Sequence, residues 1–257
     1  MGEFSSVEKD GHVTIVTINR PERMNALHPP GNKELGEVFD DFANDKDQWV
    51  AIITGAGERA FSAGNDLKYQ ASGGKMFPTP SGFGGLTSRF DNYKPVIAAV
   101  NGVAMGGGFE IALACDIIIA SENATFALPE PRVGLAALAG GVHRLPREIG
   151  MKRALGMMLT GRHVPAAEGK ELGFVNAVVS EGQALEEARR WAEMILECAP
   201  LSVRASKQTA MDGMGEPSLE AAMAAKYDLV GAMSRGKDYI EGPLAFSEKR
   251  KPNWSGE

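Results

Sequence analysis

Two hydrophobic periods alternate along this chain. The run HVTIVTINR, from His12 to Arg20, is rich in β-branched residues and follows a turn at Asp10-Gly11. It predicts a strand paired back on the segment before it. RPERMNALHPPG then carries the chain out of the sheet. Leu35, Val38, Phe39 and Phe42 recur at intervals of three and four and predict an amphipathic helix over 31–46. VAIITG (50–55), KPVIAAVNG (94–102) and DIIIAS (116–121) are short continuous apolar runs of the kind found in fully buried strands. Between the last two, AMGGGFEIALACD turns from glycines into a helix. Strands alternating with helices imply an α/β architecture. Residues 71–85, ASGGKMFPTPSGFGG, concentrate Gly, Pro and Ser and predict a mobile surface loop. From residue 180 the pattern is helical only. Ser180 and Gln183 resemble a capping box, and Leu185, Ala188, Trp191, Ala192 and Ile195 share one face after it. Further helices are predicted over 201–213, 218–233 and 236–247, so the last quarter reads as a separate helical layer. No internal repeat is legible.

Composition narrows this picture only modestly. The 257 residues suit one large domain, or one domain with a small appendage, and are ample for a sizeable core. The chain is 44% hydrophobic and 23% charged, an ordinary globular balance. A net charge of −6 without a clustered basic face argues against nucleic acid as a partner. Cys115 and Cys198 both lie in apolar runs and are expected to be buried thiols, which favours a reducing, cytoplasmic compartment. MGEFSSVEKD is polar and carries no apolar leader, and no apolar run reaches the roughly 18 residues of a membrane span. Gly2 with Ser6 fits a short myristoylation pattern, which Glu3 disfavours. There is no phosphate-binding loop, no nucleophile elbow, and no C-x-x-C or H-E-x-x-H signature. The glycines at 106–108 do not make a dinucleotide fingerprint. Histidines 12, 28, 143 and 163 are scattered, with surface or structural roles expected.

Two segments place glycine-flanked turns ahead of helices. They are Phe61-Ser62-Ala63-Gly64-Asn65-Asp66-Leu67 and Met105-Gly106-Gly107-Gly108-Phe109-Glu110. Free N–H groups at a helix start point outward, and the helix dipole adds positive potential there. Two such groups converging on one point would stabilise an oxyanion. Each turn alone reads more readily as a tight strand-to-helix connection with no ligand. Two carboxylates stand nearby in sequence. Glu110, in the first turn after the glycines, is either an acid favoured by the helix dipole or a catalytic group in apolar surroundings. Glu130, between Pro129 and Pro131, is either a solvated turn carboxylate or a second catalytic group.

The combination decides between these readings, because it resembles a known family. KPVIAAVNGVAMGGGFEIALACDIIIA, followed by ATFALPEPRVGL, is similar to the core signature of the crotonase (enoyl-CoA hydratase/isomerase) superfamily. The resemblance runs through RPERMNAL, AFSAGNDL, GGVHRLPREIG, LTGRHVPAAEGKELGFVNAVV and EGPLAFSEKRKPNW, in the family's order. Within it, SGFGGLT, GGGFEIALACD, FALPE and EGPLAFSEKR are similar to the carnitinyl-CoA dehydratase branch.

The resemblance implies a spiral of β-β-α units over residues 1–198, the CoA-binding and catalytic core. A helical C-terminal trimerisation region, 199–257, would follow. It implies an oxyanion hole from the backbone N–H groups of Asn65 and Gly107, with Glu110 and Glu130 as an acid–base pair. Positions around Arg23, Ala26, Ala63, Asp66 and Leu67 match the family's adenine and pantetheine contacts. Phe246 and Lys249 match tail positions that complete a CoA site, sometimes a neighbouring subunit's. The implied partners are an acyl-CoA thioester and further copies of the chain, as a homotrimer or a dimer of trimers. No metal or cofactor is implied beyond the CoA of the substrate. The implied reaction is reversible hydration of an enoyl-CoA. A double-bond isomerase and a non-catalytic acyl-CoA-binding protein are the alternatives. Two departures stand out. Ala136-Ala137-Leu138-Ala139-Gly140-Gly141 replaces the usual Pro-Gly segment before the paired glycines, and Asn65 replaces the more usual alanine. The acyl group is not legible.

Overall fold

β-Branched and other apolar runs build the main sheet of this computed structural model, which describes residues 2–75 and 77–257. In chain order the strands are β1 (Ser5–Asp10), β2 (Val13–Ile18), β3 (Val50–Gly55), β4 (Ala60–Ser62), β5 (Val96–Val100), β6 (Val103–Met105), β7 (Ile117–Ser121), β8 (Thr125–Ala127), β9 (Val164–Pro165) and β10 (Ala177–Val179). The helices are α1 (Pro29–Asn44), α2 (Leu67–Ala71), α3 (Gly107–Ala114), α4 (Gly141–Ile149), α5 (Met151–Thr160), α6 (Ala166–Leu172), α7 (Ala184–Leu196), α8 (Pro200–Gly213), α9 (Leu219–Ala224), α10 (Asp228–Arg235) and α11 (Asp238–Ser247). Position 76 of the 71–85 segment, and Met1 of the myristoylation pattern, lie outside the described residues.

The expected hairpin joins β1 and β2 around Gly11, whose φ of +55° is open to glycine without a Cβ penalty. From β2 onward the first sheet is parallel, in the order β1-β2-β3-β5-β7-β10. A second sheet runs β4-β6-β8-β9, parallel except for β9. β3, β5 and β7 each hand the chain to a three-residue strand of the second sheet, giving the pairs β3–β4, β5–β6 and β7–β8. Each pair then enters a helix or a single 3-10 turn. This is a repeat of β-β-α units in the backbone. The run 94–102, expected as one strand, is therefore two: Asn101 breaks it, its side-chain amide bonding Gly55 O at 2.9 Å and Gly57 O at 2.6 Å.

The central strands are buried on both faces, which is why they read as unbroken apolar runs. Alternate residues serve two cores. Ala51, Ile53, Ala98 and Val100 face the core with α1 and α3, whereas Ile52, Ile97, Ala99 and Ile119 face α7. α7 meets them with a flat stripe of Ala184, Ala188 and Ala192. Its capping box is absent: Gln183 makes no side-chain cap, and its N–H closes a turn on Ser180 O at 3.0 Å. The predicted 218–233 helix is two, α9 and α10, separated by extended residues around Tyr227. α8 packs on α10 and α10 on α11, while the tail returns to the core, where Trp254 donates to Glu197 O at 2.9 Å.

Two further expectations are corrected. Cys198 is exposed rather than buried. The far end of the 71–85 segment is no free loop, because Gly84 and Gly85 are buried in a 3-10 turn, Phe83–Gly85, packed on α1 and α3. Among the described residues no helix is long and apolar enough to cross a membrane.

Candidate active site

The second unit ends in the glycine turn that starts α3. Gly106, at φ +53°, is the N-cap, and Gly107 is the first helical residue. The N–H of Glu110 is the first to bond back, to Gly106 O at 2.9 Å, so the amides of Gly107 to Phe109 precede the helical ladder. The other glycine turn lies against it. Leu27 N–H bonds Gly64 O at 2.7 Å and Asp66 N–H bonds Leu27 O at 2.8 Å, a parallel bridge that turns the N–H and C=O of Asn65 to the opposite side. A Cβ on Gly64 would stand 2.5 Å from Met105 O and 2.8 Å from Gly107 N. Only glycine lets the two turns touch, and its φ of +84° requires it as well.

Glu110 is 3% exposed and sits on the inner end of α3. Its Oε1 accepts from Gly141 N at 2.9 Å, the first amide of α4. Burial pushes its carboxyl up to about 7, against the pull of the Gly141 N–H, and the neighbouring Glu130 pushes the same way. The Ala136–Gly141 segment, one of the two departures from the family pattern, thus supplies Glu110's donor. A Cβ on Gly141 would lie 3.1 Å from Glu110 Cγ, so that glycine permits the close approach.

Glu130 opens the 3-10 turn Glu130–Val133 after β8. Its Oε1 lies 3.0 Å from where a Cβ on Gly106 would stand, and its Oε2 is buried without a hydrogen-bond partner among the described residues. Burial raises its carboxyl too, and its own backbone N–H opposes this. The fold therefore places both glutamates at the N-terminal end of α3, in unlike environments. Asn65 keeps its side-chain amide on Gln70 Oε1 at 2.9 Å, while its Oδ1 is buried and unpartnered among the described residues.

Arg23, Ala26, Ala63, Asp66 and Leu67 gather around the first glycine turn. Ala63 N–H bonds Met24 O at 2.9 Å and Ala26 N–H bonds Arg23 O at 3.0 Å. Arg23 and Leu67 are exposed. Asp66 holds the loop in shape, capping α2 through Tyr69 N at 3.0 Å and pairing with Arg20 at 3.1 Å. Arg20, not singled out in the sequence, also donates to Ala26 O and so ties the two halves of the loop. Asn25 is a second clasp, fully buried, bonding Ala56 O at 3.0 Å and Ala60 O at 2.7 Å. Phe246 and Lys249 are not gathered here. Phe246 is 87% exposed on α11, and Lys249 lies just beyond that helix with φ +57°.

Two more residues are unmarked in the sequence. Phe83 covers Gly107, with ring carbons 2.5–2.8 Å from the position of a Gly107 Cβ. Arg144, on α4, donates to Thr87 O at 3.0 Å, and its charge favours the ionised form of Glu110. The histidines are structural where contacts define them: His12 stacks on Trp49, and His28 accepts from Gly31 N to cap α1.

A spiral of β-β-α units with two glycine turns, and with one buried and one half-buried carboxyl at one helix end, defines a class of acyl-CoA enzymes. The family described as enoyl-CoA hydratase/isomerase matches residues 8–257, and the chain belongs to it, an enzyme of the crotonase superfamily. It is 43% identical to carnitinyl-CoA dehydratase of Escherichia coli (strain K12), over the whole of both chains. The fold superposes on enoyl-CoA hydratase from Mycobacterium tuberculosis H37Rv with a TM-score of 0.93, at 38% identity and full coverage of both chains. It also superposes on carnitinyl-CoA hydratase from Mycobacterium avium with a TM-score of 0.79, at 39% identity and full coverage of both.

Proposed function

We propose that the protein adds water reversibly across the double bond of a 2-enoyl-CoA thioester, with Glu110 and Glu130 as the acid–base pair. The observation that carries this reading is the meeting of two carboxyls at one helix end, one buried and one half-buried, both raised by burial. Burial and the charge of Glu130 raise the Glu110 carboxyl to about 7, while the Gly141 N–H and Arg144 favour its anion, so near neutral pH it can both accept and return a proton. Burial also raises the carboxyl of the half-buried Glu130, and its Oε2 meets no donor among the described residues, which suits it to carry the proton for C2.

The thioester oxygen accepts from the N–H groups of Asn65 and Gly107. Negative charge grows on it as the enolate forms, and each fixed donor contributes roughly 3 kcal/mol there. Glu110 takes a proton from water as its oxygen bonds to C3. Glu130 gives its proton to C2, and the reverse sequence expels water. The adenine and pantetheine of CoA lie along Arg23, Ala26, Ala63, Asp66 and Leu67. Asp66 acts through the loop shape it holds, since its carboxylate is committed to Arg20 and Tyr69 N. Phe246 and Lys249 complete the CoA site of a neighbouring copy in a trimer or dimer of trimers. The apolar residues left exposed on α9–α11, including Leu219, Met223 and Ile240, support residues 199–257 as the oligomerisation region of a 1–198 core. Two free cysteines accord with a cytoplasmic setting.

The identity to carnitinyl-CoA dehydratase favours a second reading of the acyl group, with the same chemistry on a carnitine ester. Steady-state assays with crotonyl-CoA, longer 2-enoyl-CoAs, carnitinyl-CoA and a 3-enoyl-CoA test both. Hydration or dehydration of one of the first three is expected. Conversion of the 3-enoyl ester alone, without water addition, would make the enzyme an isomerase.

A further inference from the structure

The turn at Gly107 is not bare on its outer side. Phe83 lays a ring edge over it, as close as a glycine without Cβ permits. At a helix start the Cα–Cβ direction leans toward the N-terminus, the same end at which the free N–H groups point. The ring therefore borders the space in front of the Gly107 amide. It is half-buried, one side packed on the main core.

Its position is fixed from three helices. Gly84 N–H bonds Asn32 Oδ1 of α1 at 2.8 Å. A Cβ on Gly84 would overlap Ile111 of α3 at 2.4 Å, so the turn lies flush on that helix. Phe83 N–H bonds Thr87 Oγ1 at 2.8 Å, and Arg144 of α4 holds Thr87 O. A ring held this way is a wall and not a lid.

We infer that Phe83 sets acyl specificity at C2: its ring borders one face of the bound acyl group there, admitting flat chains and rejecting those whose tetrahedral C2 carries a branch out of the chain plane. The inference rests on the hydration reading, which puts the thioester oxygen at the Gly107 N–H. An oxygen about 2.9 Å from that nitrogen places the carbonyl carbon about 1.2 Å further and C2 about one bond beyond. C2 then lies beside the ring edge. A flat enoyl chain passes an aromatic surface at about 3.5 Å, whereas a methyl branch pointing at the ring cannot.

Butyryl-CoA and isobutyryl-CoA have the same formula and differ in branching at C2. Calorimetric dissociation constants for both, and for free CoA, are compared in the wild type, Phe83→Ala and Phe83→Leu. The wild type is expected to prefer butyryl-CoA by about tenfold or more. Phe83→Ala removes that preference by gaining affinity for isobutyryl-CoA, with free CoA unchanged and Phe83→Leu in between. Should the alanine protein not fold, the leucine variant alone must show the reduced preference. A wild-type preference that persists in a folded variant, or equal binding of both esters by the wild type, overturns the role of Phe83 alone. Failure of the wild type to bind either ester overturns the reading of the site together with it.

Discussion

Replacing Glu110 by Gln should stabilise the protein above neutral pH while removing its activity. The carboxyl is 3% exposed, and burial lifts it from its ordinary 4.5 to about 7, with Glu130 adding to the rise. Between those values the native protein holds a proton that the unfolded chain has released. Wild-type stability therefore falls as pH rises through that window, by about 3 kcal/mol in all. Below 4.5 both states are protonated and the cost is absent; above 7 it is complete. Glutamine keeps an acceptor for the Gly141 N–H and does not titrate. Urea unfolding of both proteins at about pH 4.5 and about pH 8, at one protomer concentration, reads the difference directly. The two should be nearly equal at the lower pH, and the variant more stable by about 3 kcal/mol at the higher. Because the base must be ionised to take a proton from water, wild-type kcat/KM should also fall as pH drops below about 7. The variant should lose about 10²–10⁴-fold in rate. A stability gap that does not change with pH, or a gap of the opposite sign, would refute a buried Glu110 that titrates in this window.

Three other changes test the surroundings of the site. Gly64→Ala forces a Cβ into Met105 O and against a left-handed backbone. It should cost about 3 kcal/mol or more in unfolding free energy, and about 100-fold in kcat/KM through displacement of the Gly107 turn. Asp66→Ala leaves the half-buried Arg20 with only Ala26 O as partner and should destabilise by about 1–3 kcal/mol. Burial alone would raise the Asp66 carboxyl, but the Tyr69 N–H and Arg20 outweigh it and hold it below its ordinary value. That contribution is present above about pH 4 and is lost as pH falls through the lowered value, so wild type and variant should converge in acid melts. Arg144→Met withdraws the cation that favours ionised Glu110 and should move the acidic limb of the pH–rate profile upward; an unmoved limb counts against that role.

The legible parts of the chain are unbroken apolar runs and apolar faces with a regular helical period. β3, β5, β7, α1 and α7 all follow such patterns. β4, β6 and β8 do not, because AFS, VAM and TFA are three residues each and share no pattern. They carry the repeat, so the repeat is invisible in the sequence. The Gly-rich end of the 71–85 segment reads as loose chain, yet its glycines let backbone pack on α1 and α3. The α9–α10 break hides in an Ala-rich stretch, where Tyr227 Oη donates to Ala222 O at 2.8 Å. Glu110 and Glu130 are recognisable by motif, but their unlike environments are not. The Gly141 donor lies 31 residues from Glu110 in the chain, and no local spacing signals it. Arg20 and Asn25 fall in the RPERMNAL motif, whereas their partners lie near residues 56–66.

Everything proposed for the site depends on Glu110 and Glu130 together adding water to the double bond of a CoA ester held at the Gly107 turn. Crotonyl-CoA is incubated in ¹⁸O-labelled water with the wild type, Glu110→Gln and Glu130→Gln, and the products are weighed by mass spectrometry. The wild type should yield a labelled 3-hydroxybutyryl-CoA, and each variant should take up label at least about 100-fold more slowly. Label uptake by either variant at the wild-type rate would contradict the assignment of its glutamate.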